Sequence, residues 1–333
     1  MSDLPQKVKE TITYLGAQCQ GKTVDSRSAS WLANVQANRE YYRVGNPPLL
    51  GMTAYVVGAG PSLRKNVAEL KKVGKLGLVI CVDAAFRYMM AQGVVPDYCV
   101  TLDADSRMLS MVEGADTSKT TLVAQASASP NLVGAWKGPR YFLRATGGSK
   151  ELDDKLHAAH RVVRAKKTLV AGEILNPIED VEVEFPGLND ALACGGNVTT
   201  YAHSFALSLL RAVRVVFVGC DYSWVSDDDF YAGGEHRVMS EERMDGEKIL
   251  SHVTLGGGEC STNFTLFHLK TWHEELAAAH MGHCVNATEG GILGIDKDGN
   301  SKSGWKHITL AEAVASYTPS QAAAVAPLEA VTA

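Results

Sequence analysis

The chain has 333 residues, 46% of them hydrophobic and 21% charged, and a formal net charge of −5. That balance fits an ordinary globular chain of one large or two modest domains, with enough apolar residues to bury a sizeable core. It excludes an overall basic field that would draw the molecule to nucleic acid or an anionic membrane, and no run of about 18 apolar residues offers a membrane span.

The start, Met1-Ser2-Asp3-Leu4-Pro5, has neither a charged n-region nor an apolar h-region, so a cytoplasmic protein is expected. Residues 1–50 carry Leu4, Val8, Ile12 and Leu15 at helical spacing, then Trp31 and the pair Tyr41-Tyr42, and end on Pro47-Pro48. They read as a helical preface packed on a main domain over residues 51–300, with residues 301–333 as a C-terminal helix and loosely ordered tail.

The stretch at residues 54–63 organises the rest of the chain. A β-prone run at 55–57 is broken by Gly58 and Gly60, and Pro61-Ser62 opens a helix whose apolar series is Leu63, Val67, Leu70 and Val73. In a strand, tight turn, helix unit the glycines allow close approach of a ligand, and the open N–H groups of the first helical turn attract an anion. A glycine turn that only joins a strand to a helix is the plainer alternative. Leu63 stands where a full dinucleotide fingerprint has its third glycine, and the Gly-Lys-Ser/Thr of a P-loop is absent. Under the binding reading, Gly60→Val abolishes nucleotide binding and leaves the fold largely intact.

Residues 76–82 form a continuous apolar run of the kind a doubly covered parallel strand shows, followed by Asp83 and a helix over 84–90. A strand over 98–102 is followed by Asp103 and Asp105, two more strands are expected at 121–125 and 140–144, and a helix lies near 132–136. Residues 150–190 are harder to read, with a helix near 152–160 and an ambiguous acidic stretch at 178–185. Gly195-Gly196-Asn197 opens a long apolar helix through Leu210, and the strand at 213–219 ends on Cys220-Asp221-Tyr222.

Residues 223–262 are polar, with glycines at 233, 234 and 256–258, and read as a lid-like insertion that orders over bound donor. A helix over 263–280, a strand at 283–286 and a turn at 287–291 complete the pattern. Strands alternating with helices of this length predict an α/β, Rossmann-like, doubly wound and mostly parallel sheet.

In such a sheet the ligand lies across the carboxyl ends of the strands. Gly58, Gly60, Pro61 and Ser62, then Asp83, Asp103 with Asp105, Asp221 with Tyr222, and Asn286, Thr288 and Glu289 all follow strand ends and should share one edge. Gly195, Gly196 and Asn197 form a second helix-opening turn aimed at the same place. Asp83 either accepts from ribose hydroxyls or caps its helix. Asp103 and Asp105 either chelate magnesium or are two solvated acids in a turn. Among ten histidines, His236 sits in the glycine-rich insertion between Glu235 and Arg237 and is the candidate general base, with Asp221 second. The group His268, His273, His280 and His283 lacks the spacing of a zinc site, and the seven scattered cysteines read as buried thiols.

Five motifs occur in one order: Val57-Gly58-Ala59-Gly60-Pro61-Ser62-Leu63, Pro96 to Asp103, Gly195 to Thr200, Val218-Gly219-Cys220-Asp221-Tyr222, and Asn286 to Gly291. Together they resemble the motility accessory factor glycosyltransferases and the related 6-hydroxymethylpterin diphosphokinase-like (MptE-like) proteins, over residues 30–295. The resemblance implies a domain akin to bacterial sialyltransferases, in which the Gly-Pro-Ser turn and the 195–197 turn hold the phosphate of a nucleotide sugar and Asp221 and Glu289 are polar contacts. The diphosphokinases use ATP and magnesium and present Thr-Asp-Leu-Asp-Gly. Here Thr101-Leu102-Asp103-Ala104-Asp105 lacks the leading acid and the final glycine, which counts against pyrophosphoryl transfer.

The expected protein is a nucleotide-dependent transferase that moves a sugar from a nucleotide donor of the CMP-sugar kind to a hydroxyl on a small molecule, a protein or another polymer. No further cofactor is implied for it. The alternatives are an ATP- and magnesium-dependent diphosphokinase holding the metal on Asp103 and Asp105, and a nucleotide-binding module without catalysis.

Overall fold

A computed structural model describes residues 51–74, 77–146, 195–226, 230–233, 249–280 and 283–316, parts of 30–41, and short strands between 162 and 193. Its centre is a sheet of eight parallel strands: β1 (Thr53–Val57), β2 (Gly77–Val82), β3 (Tyr98–Thr101), β4 (Thr121–Gln125), β5 (Arg140–Thr146), β10 (Ala191–Ala193), β11 (Arg214–Val218) and β14 (Cys284–Asn286). Between β5 and β10, β6 (Val162–Ala165) pairs antiparallel with β9 (Asp180–Val183), and β7 (Leu169–Val170) with β8 (Glu173–Ile174). The helix expected near 152–160 lies outside the described residues.

Spatial order across the main sheet is β10-β5-β4-β3-β2-β1-β11-β14. The chain starts at β1, winds outward to β10 on one side, then returns to lay β11 and β14 on the other. The winding therefore reverses between β1 and β11, which pair in register from Thr53–Arg214 to Val57–Val218. Ligands of open α/β sheets bind at such a crevice because the loops diverge there and leave space.

Strand β1 shows why both faces are covered. All five of its residues are buried, with Tyr55 and Val57 packed in one core and Ala54 and Val56 in the other, as the two-residue period of a strand requires. The first core packs α1 (Leu63–Asn66), α2 (Asp83–Ala91), α3 (Pro130–Ala135) and α6 (Leu310–Ala315). The second packs α4 (Val198–Ser208) and α5 (Phe264–Ala278). The doubly wound Rossmann-like architecture expected from the alternating pattern is the one observed.

Two local readings differ. The long helix expected after the Gly-Pro-Ser turn is four residues of α1 followed by a 3-10 segment, Val67–Lys72. The cause is Asn66: its buried carboxamide donates to Ala287 O at 3.1 Å and Thr288 O at 3.4 Å, and its backbone leaves the helical region at φ −130° and ψ −2°. Within 223–262, β12 (Ile249–Val253) and β13 (Glu259–Asn263) form a hairpin, turned by Gly256 and Gly257 at φ +94° and +95°. Its base is held by Trp224, which exchanges main-chain hydrogen bonds with Ser261 at 2.9 and 2.8 Å.

Of the preface, residues 33–38 are helical. Asn34 donates to Ala104 O and Ser127 O, and Asn38 to Ala126 O and Ala128 O, so this segment clamps the loops that leave β3 and β4. The described cysteines, Cys81, Cys99, Cys220, Cys260 and Cys284, are buried free thiols, as expected. No described helix is long and apolar enough to cross a membrane.

Candidate functional site

At the switch point the turn after β1, the end of β11 and the turn after β14 are tied into one knot. Gly58 N donates to Val218 O and Gly60 N to Gly219 O, both at 2.8 Å. Ser62 gives Asp221 two hydrogen bonds, from Oγ to Oδ2 at 2.7 Å and from N to Oδ1 at 3.3 Å. Asp221 O accepts from Ile292 N at 2.8 Å, just beyond Gly290 and Gly291.

The glycines are explained by this knot. A Cβ on Gly58 would lie 2.5 Å from Gly219 O, and one on Gly219, at φ +62°, would lie 2.7 Å from Gly58 O. A Cβ on Gly60 would land on the Asp221 carboxylate, and one on Gly291 on the Asp221 backbone.

Two expectations are thereby corrected. The glycines at 58 and 60 permit close approach of protein to protein, and neither has a positive φ. The first-turn N–H groups are not open: besides Gly58, Gly60 and Ser62, those of Leu63, Arg64 and Lys65 donate to Gly60 O, Pro61 O and Ser62 O at 2.9–3.2 Å. Gly60→Val therefore breaks the fold around Asp221 before it tests any ligand.

The turn at 195–197 is built differently. A Cβ on Gly195 would strike the Trp272 ring, so this glycine also answers to packing, and Gly196 sits at φ +98°. Asn197 caps α4, its Oδ1 accepting Thr200 N at 2.8 Å, and its O accepts from Tyr201 N at 3.3 Å. The N–H groups of Val198 and Thr199 have no acceptor among the described residues. They are the unpaired donors that an α-helix leaves at its start, and with the helix dipole they favour an anion.

Although α4 begins at the outer strand β10, it runs back over β1, β2, β3 and β11. Its start stands beside the end of β11: burial raises the pKa of the Tyr222 phenol, and the Asn197 side chain nearby works against that rise.

The other expected residues do share the carboxyl edge, but most are already engaged. Asp83 begins α2, accepts from Ala84 N at 2.8 Å and takes the Thr101 hydroxyl at 2.8 Å, joining the ends of β2 and β3. Asp103 Oδ1 accepts from Asp105 N at 3.0 Å, and Asp105 pairs with the Arg107 guanidinium at 2.8 Å. Among the described residues no group of three or more His, Cys, Asp or Glu could hold a metal ion.

Asn286 bridges its own turn, donating to Leu293 O and accepting from Thr288 N, both at 2.9 Å, while the Thr288 hydroxyl accepts from Cys220 N at 3.2 Å. Glu289, at φ +58°, accepts through Oε1 from Asn66 Nδ2 at 3.1 Å and from Leu310 N at 2.9 Å, so it fastens α1 to the start of α6.

His236 lies outside the described residues. The described start of the insertion, 230–233, rests on the Gly-Pro-Ser turn: Ala232 N donates to Ala59 O at 2.8 Å, and Arg64 donates to Ala232 O and Tyr231 O at 2.8 Å each.

Sequence reading missed Gly219, Gly290 and Gly291 as parts of the site, and missed His273. Their signal is weak, because a glycine required by a neighbouring backbone looks like any other glycine. His273 is fully buried on α5, with Nδ1 2.8 Å from the Tyr222 hydroxyl. Burial pulls its pKa down to about 3, and burial lowers that of neighbouring His203 as well.

This architecture has known counterparts. The MAf glycosyltransferase from Magnetospirillum magneticum AMB-1 superposes with a TM-score of 0.54 at 15% identity, over 84% of this chain and 38% of that one, a likeness of fold. An uncharacterised protein of Treponema pallidum (strain Nichols) is 27% identical over 77 residues, 22% of this chain and 37% of that protein. The chain spans well under half the length of either relative. Residues 29–227, which hold β1 to β11 and every knot residue except those after β14, match a single family. The chain belongs to the 6-hydroxymethylpterin diphosphokinase MptE-like family.

Proposed function

We propose that the protein is a nucleotide-dependent transferase that seats the donor phosphate on the first turn of α4 and moves a sugar from a nucleotide donor of the CMP-sugar kind to an acceptor hydroxyl. The observation that carries this is the pair of open N–H groups at Val198 and Thr199, delivered to the switch point between β1 and β11. Donors fixed before the reaction stabilise a leaving phosphate without reorganising as its charge develops. The knot around Asp221 forms the rigid wall of the cleft. Both Asp221 oxygens accept from Ser62, which suits an anchor better than a base. His236, three positions beyond the segment that rests on the glycine turn, keeps the role of general base, taking the acceptor's proton as the sugar transfers.

A diphosphokinase reading is favoured by the family's name and by Asp103 and Asp105 at the same edge. Against it, Asp105 is neutralised by Arg107. Thermal shift with CMP, CDP and ATP, each with and without magnesium, separates the readings, because a ligand that binds only the folded state raises its stability by RT ln(1 + [L]/Kd). Stabilisation by CMP or CDP that survives EDTA is expected. Stabilisation by ATP alone, and only with magnesium, would transfer the assignment to the diphosphokinase. No stabilisation by any of the three would remove the nucleotide reading.

A further inference from the structure

We propose that Arg64 is a positioning residue that latches the start of the insertion onto the turn after β1. Its guanidinium spends one edge on two successive carbonyls, Nε on Ala232 O and Nη2 on Tyr231 O, at 2.8 Å each. A planar fork of fixed spacing matches such a pair, and the point charge of an ammonium does not. Beside it Ala232 N donates to Ala59 O at 2.8 Å, so the main chain at 231 and 232 is held through both its acceptors and a donor.

The latch closes a loop. Asp221, directly after β11, is fastened to Ser62, and Ala232 further along is fastened to Ala59 and Arg64. Both ends of the stretch 221–232 therefore stand on residues 59–64. Aromatic rings brace it in between, with Phe230 5.1 Å from Trp224 and 5.0 Å from Tyr231. The turn that reads in sequence as a phosphate loop thus serves as a socket for a loop of the protein itself.

Burial separates the two ends. Ser62 and Asp221 are buried, whereas Arg64 is exposed. Hydrogen bonds at the surface open at low cost, so breaking the latch frees the chain around 232 without unfolding the sheet. Its effect falls on placement, because Gly233, next in the chain and close to Tyr88 on α2, is where the chain that carries His236 departs. The catalytic consequence rests on the proposed role of His236, and the latch itself does not. A base must stand within hydrogen-bonding reach of the proton it takes, so misplacing it lowers the rate and leaves donor affinity alone.

Amide hydrogen exchange by NMR on the full chain tests the latch. Arg64→Met, which keeps the apolar stem, is expected to speed exchange of the Ala232 amide about 10-fold or more, with the Gly58 and Gly60 amides and the melting temperature unchanged. Arg64→Lys should exchange as fast as Arg64→Met, because it keeps the charge without the fork. In hydrolysis of CMP-N-acetylneuraminic acid, Arg64→Met should lower kcat about 10-fold at unchanged KM. Unchanged Ala232 exchange in folded Arg64→Met, or full protection in Arg64→Lys, would overturn the inference. Faster exchange with kcat intact would overturn it too, leaving Arg64 a tie that positions nothing. If the wild-type chain does not turn over that donor, the failure belongs to the proposed function, and the exchange comparison alone decides the latch. Should Arg64→Met not fold, the wild-type Arg64 Nε–H decides: slow exchange supports the latch, and exchange at the rate of free arginine refutes it.

Discussion

The two glycine-opened turns of this molecule look alike in sequence and do opposite work. At 58–62 the main chain is closed: its N–H groups are spent on Val218, Gly219 and Asp221 and on the turn itself, and its glycines make room for a neighbouring strand end. At 195–197 the cap leaves two N–H groups without acceptors among the described residues, and the helix behind them runs eleven residues rather than four. A helix of one turn carries little dipole, whereas three turns carry most of it. The first turn fixes where the strand ends stand, and the second is the one we propose meets a ligand. A glycine therefore marks close approach without saying what approaches.

The largest effect should come from breaking the closed turn. Gly60→Val forces a branched side chain into the Asp221 carboxylate, and we expect a loss of about 3 kcal/mol or more in chemical denaturation, since overpacking and a disturbed buried carboxylate add. A folded, equally stable Gly60→Val protein would mean that the knot is not as tight as described.

Acid should act next, through the histidines behind the open turn. His273 titrates at about 3 in the folded chain against an ordinary 6.5, so below that ordinary value the unfolded chain binds the extra proton. Stability from His273 is thus fully present above about pH 6.5 and falls as pH drops toward 3, by at most about 1.4 kcal/mol per pH unit for this one proton. Denaturation midpoints at pH 7, 6, 5 and 4 should decline, and His273→Phe should flatten the decline by one proton.

Removing the cap of the open turn with Asn197→Ala should cost about 1 kcal/mol in a thermal melt, the usual worth of an N-cap side chain. The smallest effect belongs to the acids after β3. Asp105→Asn with Arg107→Gln removes a solvent-facing ion pair and should change stability by less than about 1 kcal/mol, with no gain in magnesium dependence of nucleotide binding. A large loss that magnesium modulates would point to a metal seat at Asp103 and Asp105.

The frame was legible because its strands are buried on both faces. Residues 76–82 read as a continuous apolar run and 98–102 and 213–219 as strands, and the structure places β2, β3 and β11 there. The shared edge was legible too, since a parallel sheet puts every residue that follows a strand at one end.

What escaped depends on contacts distant in sequence. Ser62 and Asp221 stand 159 residues apart, and nothing local in either distinguishes a hydroxyl that caps a helix from one that binds a carboxylate. The shortness of α1 is imposed by Asn66 reaching the β14 turn, against helical periodicity that continues to Val73. His273 sits on a helix whose sequence also places His268 and His280, and only burial against Phe217 and Tyr222 sets it apart.

The central claim is that the anion meets α4 and not the Gly-Pro-Ser turn. Titrating CMP into ¹⁵N-labelled protein and following backbone amides tests it most directly. The largest shifts are predicted at Val198 and Thr199, with the amides of Gly60, Ser62 and Leu63 changing little because their hydrogen bonds are already made. Large shifts at Gly60 to Leu63, with Val198 and Thr199 unmoved, would contradict the account and return the phosphate to the first turn.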